Sequence, residues 1–212
     1  MIKRKILVIG PYPIKKPQHG GQKRLAALVR FYRAIFENVK FIAVFHQASY
    51  PEFDPEDIPL GHKENIDQID KQSYAMDQIV GRAIDNDTHV RSFFAKALRG
   101  YRPDIIAIEQ PYLFEGLSVL LKELDMHPKI IYSSQNIEYI MKEAIYKNQK
   151  IGDIGEELVN ETRRLEERFS RESDLVIAVS KEDAEWHKMA GSKNVVIAPN
   201  GIEKQYKIIQ TW

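Results

Sequence analysis

Apolar residues in this chain gather into short continuous runs, and between the runs they recur every three or four positions. Ile6-Leu7-Val8-Ile9 is the first run. It is mostly β-branched and bounded by Lys5 and Gly10-Pro11, so it reads as a strand buried on both faces, as in a parallel sheet. After a loop from Pro11 to Gly21, Leu25, Leu28, Val29, Tyr32 and Phe36 share one helical stripe, with Arg24, Arg30 and Arg33 mostly off it. That helix is expected to stop near Glu37-Asn38. A second strand then runs from Val39 to Phe45.

Residues 47–65 carry Pro51, Pro55, Pro59 and Gly61 and read as an exposed loop. Residues 66–99 have a helical pattern broken near Asn86-Asp87-Thr88, where Asp87 or Thr88 suits an N-cap and Gly100 suits the final stop. Ile105 to Ile108 is a third buried strand, followed by a helix through Leu117, Leu120, Leu121 and Leu124. Lys129 to Tyr132 is the fourth strand. A long charged helix covers roughly 154–171, with Leu158, Leu165 and Phe169 inward and a solvated face of i, i+4 charge pairs. Asp174 to Val179 is the fifth strand, 181–190 a helix ended by Gly191, and Asn194 to Ala198 the sixth strand. Strands alternating with helices define an α/β chain with a doubly wound, mainly parallel sheet of six or more strands.

Composition narrows the function more than the fold. The chain has 212 residues, no cysteine and a net charge of +1 from 31 basic and 30 acidic residues. The charge balance gives no reason to expect nucleic acid. The lack of cysteine excludes disulfides and thiolate zinc sites and fits a reducing, cytoplasmic setting. No apolar stretch approaches the length that spans a bilayer. The six histidines show no metal-ligand spacing, so neither metal nor cofactor is expected.

Open parallel sheets bind ligands at the carboxyl ends of their strands. The residues there are Gly10 to Gly21, His46-Gln47, Glu109-Gln110, Ser133 to Asn136, Ser180 and Asn200-Gly201. Gly20 and Gly21 open a helix, where free N–H groups and the helix dipole favour an anion, with Arg24 one turn in. The same pair also suits a plain flexible connection, and neither the Gly-x-Gly-x-x-Gly nor the P-loop pattern is present. Gln135, Asn136 and Glu138 can hydrogen-bond sugar hydroxyls or orient a base, or Asn136 can simply cap a helix. Glu109 and Glu115 are carboxylates placed for acid–base work. Glu115 equally suits the first turn of the next helix. His19 and His46 lie at ligand-facing positions.

Taken in order, these segments resemble the N-terminal half of GT-B glycosyltransferases, in particular family 4. The similarity lies in Pro11-Tyr12-Pro13 with His19-Gly20-Gly21-Gln22-Lys23-Arg24, in Ser134 to Glu138, in Arg164 to Asp183, and in Asn194 to Ile202. The resemblance implies an acceptor-side Rossmann-like domain over 1–202, with 203–212 a crossing or tail. It implies a sugar moved from a nucleotide-sugar to a saccharide, lipid-linked or other hydroxyl acceptor, with net retention. Gly20, Gly21 and Arg24 would face the donor diphosphate. Tyr12, His19, Glu109, Gln135, Asn136 and Glu138 would form the acceptor side, and Asn200-Gly201 the crossing to the donor domain. Gln135 and Glu109 are the catalytic candidates. Gln135 stands where many members carry histidine, and an amide takes up no proton at neutral pH.

The sequence stops at Trp212, before the family's nucleotide-sugar domain and its paired glutamates. An excised half, a truncated product or one half of a split enzyme all fit that, as does a non-catalytic saccharide-binding or protein-interaction module. The resemblance leaves room for peripheral contact at the inner membrane face and for a homo-oligomer.

Overall fold

The central apolar runs become strands because both faces of each are covered. In the computed structural model, which describes residues 1–60 and 75–201, β1 spans Ile2–Gly10. Its alternate residues serve two cores. Ile6 and Val8 face helix α1 (Gly20–Ile35), while Leu7 and Ile9 face the helices on the other side. All four are fully buried, at about 2 kcal/mol of transfer free energy each. A strand with polar alternation could not occupy this place.

The chain continues through β2 (Phe36–His46), a 3-10 turn (Gln47–Ser49) and β3 (Ile58–Leu60). Two short helices, α2 (Met76–Gly81) and α3 (Ala83–Asn86), precede α4 (Thr88–Tyr101). Then come β4 (Ile105–Glu109), α5 (Phe114–Glu123), β5 (Lys129–Ser133) and α6 (Glu138–Gln149). Last are α7 (Asp153–Glu172), β6 (Leu175–Ala178), α8 (Lys181–Met189) and β7 (Val195–Ile197). The seven strands are all parallel, in the order β3-β2-β1-β4-β5-β6-β7. Strand order reverses between β1 and β4, which makes their carboxyl ends the switch point.

Asp87 caps α4 as expected, accepting from the His89 and Val90 amides at 2.8 and 3.1 Å. Four expectations need correction. α1 stops at Ile35, and β2 starts at once with Phe36, because Phe36 is buried on the sheet. The stop of α4 is not Gly100 but Arg102, at φ 50°, directly before Pro103. The stretch 47–65 is not all exposed loop: Ile58–Leu60 pairs with β2, and Pro59 is tolerated because β3 is an edge strand. Its approach is fixed by Asp57, whose buried carboxylate accepts from the Ala43 and Asp54 amides. Helix α6 is an addition to the expected elements. The part of the 66–99 pattern within 61–74, and the tail 203–212, lie outside the described residues.

Three stacked rings set α7 against the sheet. Phe169 lies between Phe114 and Tyr132, with centroids 4.1 Å from each. This brings Glu166, one turn earlier on α7, under the start of α6.

Candidate functional site

The loop after β1 is a built structure rather than a loose connection. Gly10 lets α1 approach the strand, since a Cβ there would overlap Leu25. Gln22 is 2% exposed and staples the loop: its Nε2 donates to Pro13 O at 2.6 Å, and its Oε1 accepts from the Gln18 amide at 2.9 Å. His19 is the N-cap of α1. Its Nδ1 accepts from the Gln22 amide, so the ring proton sits on Nε2, 3.1 Å from Tyr50 Oη. Partial burial lowers the pKa of His19, in keeping with the neutral ring.

Gly20 and Gly21 differ sharply. A Cβ on Gly20 would meet nothing, whereas one on Gly21 would overlap Tyr12 Oη and stand 2.8 Å from Gln135 Oε1. Three groups from separate segments therefore close on one point at the N-terminus of α1. Tyr12 is 6% exposed, and its hydroxyl makes no well-formed hydrogen bond among the described residues, although the Gln135 side chain lies close enough to lower its pKa in part. Burial, reinforced by the Glu109 charge, pushes its pKa well up, so it stays a neutral donor.

Below them sits Glu109, the last residue of β4, 2% exposed. Its Oε2 accepts from Gln135 Nε2 at 3.0 Å. Burial raises the carboxyl pKa, while Ser133, Gln135 and Arg24 hold it down in part. The Ser133 hydroxyl is fully buried and makes no well-formed hydrogen bond. Tyr32, on α1, also buries an unpartnered hydroxyl against the field of Glu109. Arg24 Nη1 donates to Ala198 O at 2.9 Å and to Asn200 Oδ1 at 3.0 Å, leaving its buried Nε and Nη2 without partners. The residues after β7 are thus tied to the switch point. Gly201 stands in the open. Next to Glu109, Gln110 adopts φ 62°, a strained turn for a side-chain-bearing residue, and its amide donates to Ser133 O at 3.2 Å.

The other residues anticipated from sequence sit further off. Asn136 Nδ2 contacts Met141 Sδ at 3.4 Å. Glu138 is 1% exposed and accepts from Tyr112 Oη at 3.2 Å and Gln110 Nε2 at 3.3 Å. Glu115 lies in the first turn of α5, paired with Arg168. His46 is buried at the end of β2.

Glu166 overturns the reading of α7 as a helix whose charges all face solvent. It is fully buried, and its carboxylate accepts from Tyr132 Oη at 3.0 Å and from the Glu138 and Tyr139 amides at 2.9 Å each. It caps α6 from another helix. Burial pushes its pKa up to about 7, against the pull of those donors. Glu138, buried beside it, is pushed up to about 8 by burial and then by the charges of Glu166 and Asp77. Lys142 pairs with Asp77 at the edge of this network. Glu166 and Gln22 both lie in segments that carry the family resemblance, but residue patterning assigned neither of them a role.

Among the described residues, no group of three or more His, Asp and Glu side chains is arranged to hold a metal ion. No helix is long and apolar enough to cross a membrane.

The class defined by this geometry is a Rossmann-like α/β fold with its polar cluster at the switch point of a parallel sheet. No family model and no curated protein sequence matches the chain. Solved structures that share the fold include the following two. One, described as the apo form of the lipopolysaccharide outer core galactosyltransferase WaaB, is 11% identical with a TM-score of 0.53, over 95% of this chain and 47% of that one. The other, sucrose-phosphate synthase from Thermosynechococcus elongatus, is 13% identical with a TM-score of 0.54, over 92% of this chain and 48% of that one. The chain spans about half the length of each.

Proposed function

We propose that this chain is the acceptor-side half of a glycosyltransferase that moves a sugar from a nucleotide-sugar to a hydroxyl of a saccharide, lipid-linked or other acceptor. The observation that carries the reading is the meeting of Gly21, the unpartnered Tyr12 hydroxyl and the Glu109–Gln135 pair at the switch point. Two glycosyltransferases of the same fold, and the ordered sequence motifs, support it.

In this reading the acceptor hydroxyl attacks the anomeric carbon of the donor while the nucleoside diphosphate leaves. The Gly20 and Gly21 amides, ahead of the first intrahelical bonds, stabilise the leaving charge. Arg24 adds a positive charge at the same end once it releases Asn200. Tyr12, His19, Gln135 and Asn136 line the acceptor side, over the inner Glu138. A family-4-like relationship and net retention belong to the same proposal. The main donor contacts come from a second, nucleotide-binding half.

Calorimetric titration of UDP-glucose, ADP-glucose and GDP-mannose against this chain tests the division of labour. Dissociation constants near or above about 1 mM are expected, since most of the donor's contacts are elsewhere. Low-micromolar binding by this chain alone overturns it. With a donor-binding half added, labelled sugar should pass to an acceptor; saccharide binding without transfer identifies a binding module instead.

A further inference from the structure

The Glu109–Gln135 contact has only one polarity. Strands β4 and β5 are neighbours with Glu109 opposite Ser133, and Gln135 follows two residues later. An ionised carboxylate only accepts hydrogen bonds, and an amide has one donating end. The 3.0 Å contact from Gln135 Nε2 to Glu109 Oε2 therefore leaves Gln135 Oε1 as the end beside Gly21. The N-terminus of α1 offers donors, its first N–H groups, and the buried Tyr12 hydroxyl beside it is a further unpartnered donor. Gln135 Oε1 adds an acceptor to a point otherwise made of donors.

We propose that Glu109 is a positioning residue that turns Gln135 Oε1 toward Gly21, so that the site takes a ligand with an anionic group beside a hydroxyl, as in a sugar phosphate. The anion meets the α1 amides and the Tyr12 hydroxyl, and the sugar hydroxyl donates to Gln135 Oε1. The ligand class rests on the glycosyl-transfer reading; the amide polarity rests on the 3.0 Å contact and on an ionised Glu109. The groups facing Glu109 are Arg24 and Tyr32 from α1, Tyr12 from the loop after β1, and Ser133 and Gln135 from the end of β5. Among these only Arg24 is cationic, and with Ser133 and Gln135 it opposes the upward push of burial on the carboxyl pKa. Replacing the carboxylate by an amide removes the polarity, because either end of Gln135 can then face position 109.

The test uses the full chain, labelled with 15N, and follows the Gln135 side-chain amide and the Gly20 and Gly21 backbone amides by NMR. The Gln135 amide signal, identified by its loss in Gln135→Ala, should shift with pH as Glu109 titrates above the ordinary carboxyl range, and should stop doing so in Glu109→Gln. A Gln135 signal indifferent to Glu109 overturns the positioning role. Glucose 1-phosphate and inorganic phosphate are then titrated separately. Glu109→Gln should weaken glucose 1-phosphate about tenfold, the value of one hydrogen bond, and leave inorganic phosphate within about twofold. Equal weakening of both probes overturns the proposal in favour of a purely structural role. If Glu109→Gln does not fold, Gln135→Ala must give the same selective loss. If neither probe moves the wild-type signals, the ligand assignment and the proposed function fall together, while the pH titration still tests the positioning role.

Discussion

Two buried carboxylate clusters lie on this sheet, and they differ in how fully they are satisfied. Around Glu166, every carboxylate oxygen is engaged, by Tyr132 and two backbone amides, and Glu138 holds Tyr112 and Gln110, whose own Oε1 is left without a partner among the described residues. Around Glu109, the buried hydroxyls of Tyr12, Tyr32 and Ser133 and two nitrogens of Arg24 make no well-formed hydrogen bond among the described residues. A satisfied buried network specifies one arrangement, and an unsatisfied one carries a desolvation cost that a ligand can relieve. The first cluster is architecture; the second, at the switch point, is where binding would recover that cost.

The hardest test of this contrast is Glu166→Ala. It strands the Tyr132 hydroxyl and the first two amides of α6, each a buried donor worth about 1–3 kcal/mol when unpaired. A loss of at least about 3 kcal/mol in urea unfolding is expected. A loss below about 1 kcal/mol would mean that water replaces the carboxylate and that the cluster is not architectural.

The next largest effect separates two adjacent glycines. Gly21→Ala overlaps Tyr12, whose ring is buried and held edge-on to His19, so about 1–3 kcal/mol of overpacking is expected, with any anion binding at the α1 amides lost. Gly20→Ala meets open space and should be neutral or slightly stabilising, since alanine is the better helix former. Thermal unfolding of both variants checks this. Equal effects would show that the pair is a plain connection.

The strands and most helices were legible because their cores are apolar. The cores of β1 and β4 are runs of Ile, Leu, Val and Ala, and such runs carry their own signal. The helix α6 was not legible, because its buried stripe is Glu138, Lys142 and Tyr146. A helix that packs polar residues inward has no apolar period. β3 was hidden by Pro59 and by having only three residues. In the site, Gly20, Gly21, Glu109 and Gln135 could be named from their places after strands. That Gln135 turns back onto Glu109 depends on the β4–β5 register, and no local pattern encodes a register. Glu166 was concealed among Arg164, Glu167 and Arg168, neighbours that do face solvent.

The pH dependence sharpens the contrast further, at a smaller scale. An acid whose pKa is raised on folding favours the folded state while protonated. Glu138, raised from 4.5 to about 8, and Glu166, raised to about 7, therefore make stability fall as pH rises through that window. Glu138→Gln keeps a neutral side chain there and should flatten the fall between pH 6 and 8.5, by roughly 1–2 kcal/mol, seen in urea midpoints across that range. On the acid side, burial pushes buried His187 down to about 4, so its contribution is lost as pH falls from 6.5 toward 4. That limb should survive in Glu138→Gln. If the alkaline limb survives as well, Glu138 is not the group that titrates.

The smallest effect lies one residue from the largest. Glu167 is the immediate neighbour of Glu166 on α7, but it points outward and pairs with Arg163 at 2.9 Å, four residues back. The Arg163 side chain is 55% exposed and also lies over the Tyr139 ring, 5.4 Å from its centroid. Exposed i, i+4 pairs contribute about 0.3–0.5 kcal/mol, and a surface cation–π contact about as much again. Glu167→Ala removes only the pair and should cost no more than about 0.5 kcal/mol, less at high salt. Arg163→Ala removes both contacts and should cost more than Glu167→Ala but far less than Glu166→Ala. Comparing Glu166→Ala and Glu167→Ala under one set of conditions contrasts buried with exposed surroundings, because residue type and helix are the same. If the two losses come within about 1 kcal/mol of each other, being buried and fully hydrogen-bonded is not what distinguishes the inner network from the solvated face.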